Sequence, residues 1–511
     1  MQTILRISII FMLLFRYGTN IYSQDILQNE VSLTRQAYVT SSLLDSIQSK
    51  TGIVFVYSST IQPDRLVYIA PGKYTVSQVL DSIFLPVRHN YRVRNRHVIL
   101  MPEGANVNTE IKHPVQGRVL DRKNNPVPFA TIYFENSGKG TIANVEGYFR
   151  LLVPAGMIFD TLTISSVGFE AAKISPETYL SQNLLVNLKT AVVPIRDIIV
   201  RPEVPEDIVL QSYEKRIRNY SSKQVLMTAF FRETSKQDND YISLTEALVE
   251  VYKTAYLSNA DDLIVLLKGR NGSNINKSEL VNLVVQGGLY NGIRLDVAKY
   301  GSYFYSSDAF LEYDFRMSRT TFIKGRQTYV IAFDMKEGLD YAGYKGLLYF
   351  DAESLALVRA EFEISARGLK YAKADLVRKT PRGFSAKPLY ARYEVEYRYY
   401  NNTWNLHYAH SEINIKVRKS GRRGEQAFSC NFVSTSEFVV TDIDDSPSAR
   451  ARYRDSARPH DVLYQQVKNT GETFWEGSNI ILPEEPLLST IGKLQKEGII
   501  PDEQQGKSNS H

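Results

Sequence analysis

The stretch from Pro114 to Lys189 constrains the chain more than any other. Short apolar runs (Val115–Val119, Thr131–Phe134, Arg150–Val153 and Leu162–Phe169) are cut apart by Gly, Pro and Asn. Each run is too short for a helix and rich in residues that suit a pleated, half-buried surface. The breaks Asn125-Pro126, Gly140, Asn144 to Gly147 and Gly168 carry turn chemistry: glycine for positive φ, asparagine for side-chain bonds to its own backbone. The stretch reads as a run of short alternating strands.

The same elements in the same order resemble the carboxypeptidase regulatory-like domain, a small transthyretin-like β-sandwich of Bacteroidetes envelope proteins. That family often has Thr-Asp before the glycine turn; here it is Ala143-Asn144, and Asn serves the same turn. The resemblance covers residues 114–190. The family name invites a search for zinc-peptidase ligands, a His-x-x-Glu pair with a distant His. None of the seven histidines is followed by Glu at the third place. The nearest pattern, His407-Tyr408-Ala409-His410, lies on a predicted strand, where residues three apart face opposite ways. His410 is expected on the face of Trp404, Leu406 and Tyr408. No nucleophile elbow, Walker loop, dinucleotide fingerprint or cysteine pair occurs. No catalytic, cofactor-binding or metal residue is therefore assigned, and a non-enzymatic role is expected.

Two further modules flank the sandwich. Residues 1–23 read as a signal peptide: a thin basic start at Arg6, an apolar run Ile7 to Phe15, and a cut near Tyr22-Ser23-Gln24. Export to the periplasm, or to the periplasmic face of the outer membrane, follows. Residues 25–103 alternate helical and strand patterns. Leu43 to Ile47 begins a helix ending near Thr51-Gly52, Ile53 to Tyr57 is a strand, and Thr75-Val76-Ser77-Gln78 is a capping box opening a second helix. Tyr91–Arg94 and His97–Met101 form a hairpin around Asn95-Arg96. TGIVFVYSS, YTVSQVLDSI and HVILMPE together resemble the secretin and TonB short N-terminal domain, STN. That resemblance implies a docking platform for envelope partners, of TonB-linked receptor or anti-sigma regulator type. Residues 104–113 and 191–204 are linkers.

Residues 205–500 open with a helix at Pro205, with Val209, Tyr213, Ile217 and Tyr220 on one face. Strands recur from Val225 onward, around a mixed region holding Lys268-Gly269-Arg270 and Gln286-Gly287-Gly288. In Tyr393 to Tyr399 the odd residues are apolar and the even ones charged, so one face is buried and the other wet. On that basis Glu394 and Glu396 are solvated. The expected fold is multidomain and β-rich: a small α+β unit, the sandwich, then a large α+β domain with a curved antiparallel sheet and helices on one side. Its motifs resemble the C-terminal region of secreted Bacteroidetes proteins named only for the regulatory-like domain. The GLLYFDAESLALVRAEFEI hairpin also looks like part of the half-barrel of periplasmic lipoprotein carriers.

Phe474, Trp475, Trp404 and Tyr408 are the candidate partner or ligand contacts. For Trp475 the stronger expectation is a tail that seals the sheet, with Leu487, Ile491 and Leu494 on a short amphipathic helix. Asp442, Asp444 and Asp445 could hold calcium in a loop. The lone Cys430, between Phe428 and Phe432, is expected to be buried and inert. A formal charge of +6 spread over 511 residues does not call for nucleic acid. A transport barrel is disfavoured because the tail, residues 501–511, is polar and the strands lack a consistently apolar outer face. A lipid or lipoprotein carrier is the alternative function, and an unrecognised hydrolase a further one.

Overall fold

The computed structural model describes residues 25–57, 65–84, 89–94, 97–102, 112–135, 137–154, 157, 160–181, 183–191, 204–273, 278–421, 427–445, 447, 451–467, 475 and 477–496. The expected leader (residues 1–23), Asn95-Arg96, most of the expected linkers (residues 104–113 and 191–204), Phe474 and residues 501–511 lie outside them. The chain forms two compact units: residues 1–115 with 152–160 and 175–182, and residues 116–151 with 161–174 and 183–511.

In the first unit the helix Thr40–Thr51 stops at Gly52, whose φ of 68° lets its N–H return to the Gln48 carbonyl at 2.8 Å. The capping box forms reciprocally. Thr75 N–H donates to Gln78 Oε1 at 2.9 Å and Gln78 N–H donates to Thr75 Oγ1 at 3.2 Å. The helix Val76–Phe84 that follows buries Val76, Val79, Leu80, Ile83 and Phe84 against Leu43, Leu44 and Ile47. Strand Val54–Tyr57 pairs in parallel with His97–Pro102, which pairs antiparallel with His89–Arg94.

The sandwich strands make two sheets. One runs Gly140–Ile142, Thr131–Phe134, Leu162–Ser165, Ala172–Ile174; the other runs Tyr148–Pro154, Lys112–Asp121, Leu184–Leu188. At the turn between strands, Asn144 Oδ1 accepts from the N–H groups of Glu146 (3.0 Å) and Tyr148 (2.9 Å). Asn thus does the work expected of Asp there. Gly147 has φ +82°, and a Cβ would sit 2.4 Å from the Val119 carbonyl oxygen. Only glycine fits.

The rest of the second unit is built on one antiparallel sheet of ten strands. In chain order they are β1 (Val225–Gln237), β2 (Asp240–Lys253), β3 (Leu263–Ser273), β4 (Tyr313–Ile323), β5 (Arg326–Met335), β6 (Tyr344–Asp351), β7 (Leu357–Ile364), β8 (Phe384–Tyr400), β9 (Thr403–Lys419) and β10 (Phe428–Asp444). In space they run β3-β2-β1-β10-β9-β8-β7-β6-β5-β4. One face carries the helices. Phe231 meets Gly292 of the helix Gly288–Arg294, Glu233 accepts from Gly288 N–H at 2.7 Å, and Phe304 stacks on Phe333 at 4.7 Å. A buried charge set also lies here. Lys253 bonds Asp262 (2.8 Å) and Asp296 (2.6 Å), and Lys299 bonds Asp262 (2.5 Å). Two cations thus balance two anions out of water, which is how buried charge is tolerated.

Five register shifts fall in one line across this sheet, to within a residue. Leu267 in β3, Thr441 in β10, His407 in β9, Val358 in β7 and Ser318 in β4 each lack a partner on the neighbouring strand. An extra residue bends its strand and strengthens the local twist. A row of them is a crease, and it explains several departures from strict alternation. The Lys268-Gly269-Arg270 region is strand, broken in pattern by the unpaired Leu267. His407 is the extra residue that moves Trp404 and Leu406 to the helix-bearing face, while Tyr408 and His410 keep the other. The expected sharing of one face by all four is corrected accordingly. At the domain's first helix, Pro205–Glu214, the expected apolar stripe also ends early: a second turn Arg216–Asn219 leaves Ile217 exposed.

Thr75→Ala removes one half of the capping box and should destabilise the first unit by about 1 kcal/mol. Thermal unfolding of Thr75→Ala against wild type, followed by helix signal, checks this.

Candidate functional site

The sheet face away from the helices reads on β8 as Glu394, Glu396, Arg398 and on β7 as Arg359, Glu361, Glu363. The alternation predicted this face to be wet. It is instead partly roofed by the sandwich. Arg398 is 1% exposed and Glu396 6%. Arg398 donates from Nη1 to the Lys139 carbonyl at 2.9 Å and from Nη2 to the Gly138 carbonyl. Glu396 accepts from Thr131 at 3.2 Å, from Lys324 at 2.8 Å and from Arg359 at 3.2 Å. Lys139 pairs with Asp442. Glu396 is therefore not a solvated edge carboxylate: β8 is an interior strand, and its even side chains meet a covering layer.

Gly138 makes the close approach possible, since a Cβ there would lie 2.4 Å from the Ile443 carbonyl oxygen. Phe129 is held at φ +55°, a costly conformation for a bulky residue, with its ring stacked on Tyr408 at 5.6 Å. Ile142 joins Phe230, Tyr408, Val439, Trp475, Ile480 and Ile481 in one apolar cluster. The helix Glu485–Lys496 seats Leu487 and Ile491 on Tyr241 and Leu244. Beneath this segment Glu246 sits between Arg232 (2.6 Å) and Arg270 (2.6 Å), and Arg232 Nη2 donates to the Ile481 carbonyl at 2.8 Å.

These contacts place the sequence-predicted residues. Trp475, Trp404 and Tyr408 are 4, 2 and 2% exposed, so each is taken up in packing and none offers its ring to solvent. Phe474 lies outside the described residues. Asp442 and Asp444 end strand β10 rather than form a loop, and Asp445 accepts from Asn401. Among the described residues no group of three or more His, Cys, Asp or Glu is placed to hold a metal ion. Cys430 is buried, and burial pushes its thiol up to about 11. That leaves little thiolate at neutral pH.

Where the sandwich roof ends, the same face opens into a groove of about 750 Å³ over β4 to β9. Its floor is Ala332 and Leu347. Its walls carry Asp314, Arg316, Asp334, Lys345, Glu361, Glu363, Arg367, Arg392, Glu394, His410 and Glu412. The charges are interlocked. Arg359 holds Glu361 (2.8 Å) and Glu394 (2.7 Å), while Glu363 takes Lys345 (3.1 Å) and Arg392 (3.2 Å). Burial raises the Glu394 carboxyl, and neighbouring Glu396 and Glu361 add to that against the pull of Arg359. Burial also lowers His410, keeping the imidazole neutral. Sequence reasoning missed this groove because its residues come from six strands. Only the Glu394/Glu396 alternation pointed to it.

A second, smaller cavity of about 130 Å³ lies between helices and sheet, lined by Leu295, Val297, Phe304, Tyr344, Phe362 and Tyr393 among others. Small-molecule pockets run about 300–1,000 Å³. The groove falls in that range and the inner cavity below it.

Residues 115–200 match the family model of the CarboxypepD_reg-like domain. No curated protein matches the chain. Among solved structures, a domain named for outer membrane lipoprotein sorting from Vibrio parahaemolyticus is 11% identical, covering 48% of this chain and 94% of its own, with a TM-score of 0.24. A LolA superfamily protein from Nitrosomonas europaea is 13% identical over 48% and 96%, TM-score 0.20. A DUF1329 family protein from Desulfovibrio piger is 11% identical over 48% and 93%, TM-score 0.22. At these values the likeness does not extend to a function. Among the described residues no helix is long and apolar enough to cross a membrane.

Arg398→Met should cost roughly 3 kcal/mol, because two buried carbonyls lose their donor. Amide exchange should quicken selectively at residues 138–142, and a uniform change across the sheet would contradict the assigned role. Glu394 gives a pH test. Its carboxyl titrates above its ordinary value in the fold, so ionising it costs stability as pH rises through the raised value. Glu394→Gln should therefore melt higher than wild type at pH 7, with the gain vanishing by about pH 4, below the unfolded carboxyl's value.

Proposed function

We propose that this protein is an exported, non-enzymatic component of the cell envelope that binds a ligand or protein in the charged groove beside the sandwich. The observation that carries this reading is the interlocked charge of the groove. Three of its acids, Glu361, Glu363 and Glu394, are held in pairs with Arg359, Lys345 and Arg392, which suits recognition of a polar partner more than proton transfer. The regulatory-like sandwich supports the envelope setting. On the STN-like reading, the N-terminal unit docks a TonB-linked receptor or an anti-sigma regulator, and the second unit presents the groove from the periplasm.

A carrier of lipid or lipoprotein is the second reading, favoured by the aromatic and aliphatic residues in the lining of the inner cavity, which also holds Gln286, Asn291, Arg294, Ser411 and Ser436. At about 130 Å³ that cavity is too small for a whole lipid, so carriage requires the helices to move off the sheet. Native mass spectrometry of protein from its own cells separates the two: persistent lipid adducts favour carriage.

For the groove, a photo-crosslinking residue at Lys345 in living cells should give one discrete adduct that the same residue at exposed Ile217 does not. Equal or absent labelling at Lys345 would sink the groove reading. Turnover of peptide, ester or glycoside substrates that depends on one residue cluster would sink the non-enzymatic one.

A further inference from the structure

The two edges of the ten-stranded sheet are treated differently. The β3 edge is sealed by the chain itself. Ala457 N–H donates to the Ile264 carbonyl at 2.8 Å, Ile264 N–H donates to Ser456 Oγ at 3.0 Å, and Asn271 reaches the Tyr464 carbonyl. A Cβ on Gly269 would lie 2.7 Å from Val467, so this cover is tight. Among the described residues the β4 edge is closed at its hairpin end, where Gly168 N–H donates to the Phe322 carbonyl at 3.4 Å. That bond fixes the direction of the rest. Phe322 presents its backbone away from β5, and in an antiparallel pair every second residue does so. Thr320 stands two residues away with no register shift between them, so its N–H and carbonyl also point outward. From Arg316 to Thr321 no bond to the outward backbone is formed by any described residue. Arg316, Met317, Ser318 and Arg319 are exposed.

An unpaired strand edge is a template for another strand. This one spans six residues, so an added strand would run about 20 Å along it at about 3.4 Å per residue. Its charge selects the occupant. The segment Arg316-Met317-Ser318-Arg319-Thr320-Thr321 holds two arginines and no acid. A second copy of the chain would set arginine against arginine across a two-fold edge pair, which is the usual device against self-pairing. An extended partner segment bearing carboxylates would meet those arginines while bonding the free backbone.

We propose that the β4 edge, residues Arg316 to Thr321, is a docking site for an extended acidic segment of a partner protein, added as an eleventh strand. The site adjoins the groove at Arg316 and parts from it at Thr320, which lies on the opposite face from the groove's lining residues.

The test uses the full chain and a fluorescein-labelled eight-residue peptide alternating valine and glutamate, read by anisotropy. Saturable binding is expected, with a valine–lysine peptide at least tenfold weaker. Thr320→Pro deletes only an outward N–H, which an edge strand tolerates; it should weaken binding at least tenfold. Lys345→Glu, in the groove, should leave it unchanged, so failure here and failure of the groove reading are told apart. Hydrogen exchange on wild type provides a readout independent of any variant's folding: the Thr320 amide should slow on adding peptide. Equal binding of both peptides, no binding, wild-type binding by Thr320→Pro, or a self-associated chain with Thr320 already protected would each overturn the proposal.

Discussion

The second unit depends on a buried guanidinium. Among the described residues no carboxylate forms an ion pair with Arg398; it is held by the carbonyls of Gly138 and Lys139, and burial brings it down to about 10. It stays charged at neutral pH, so its charge must be answered by backbone dipoles that only a close-fitting loop can supply. The fit is set by the absent side chain of Gly138 and by the pairing of Lys139 with Asp442. A sandwich of this kind could stand free on linkers. Here it is a structural part of the sheet, and it decides how much of a charged face remains open. The groove is what it leaves uncovered.

The line of register shifts explains how one sheet serves two covers. A flat strand alternates its faces without a break, and one extra residue reverses the order. At His407 the strand β9 presents Trp404 and Leu406 to the helices, then Tyr408 and His410 to the sandwich and groove. The same step at Thr441 turns Asp442 toward Lys139. The crease thus couples the helix-covered core to the docking of the sandwich.

Much of the fold is legible in the chain because its signals are local. The capping box Thr75–Gln78, the glycine end at Gly52 and the Asn144 turn each act within four residues and appear as read. The candidate site is legible only in part, because its determinants are distant. Glu396 looks solvated until Thr131 is known to lie over it, 265 residues away in sequence. Strand β3 is hidden by Leu267 and Gly269, whose places are set by a register shift and by Val467. Strand β4 is hidden because an edge strand carries charge where an interior one carries apolar residues.

The same reasoning gives the exposed arginines of β4 a meaning that composition cannot. Charge on an edge is first a guard against aggregation, and on β3 the guard is a covering segment instead. A chain able to seal one edge with residues 456–464 and to cap Phe322 with Gly168 has the means to close the other. Along β4, short of the Phe322 cap, the described residues leave the outward backbone of alternate positions unbonded, with positive charge beside it and the groove reached through Arg316. Open backbone with one sign of charge repels its own kind and admits the opposite. The edge and the groove then form adjoining polar surfaces beside the sandwich, on the sheet face away from the helices.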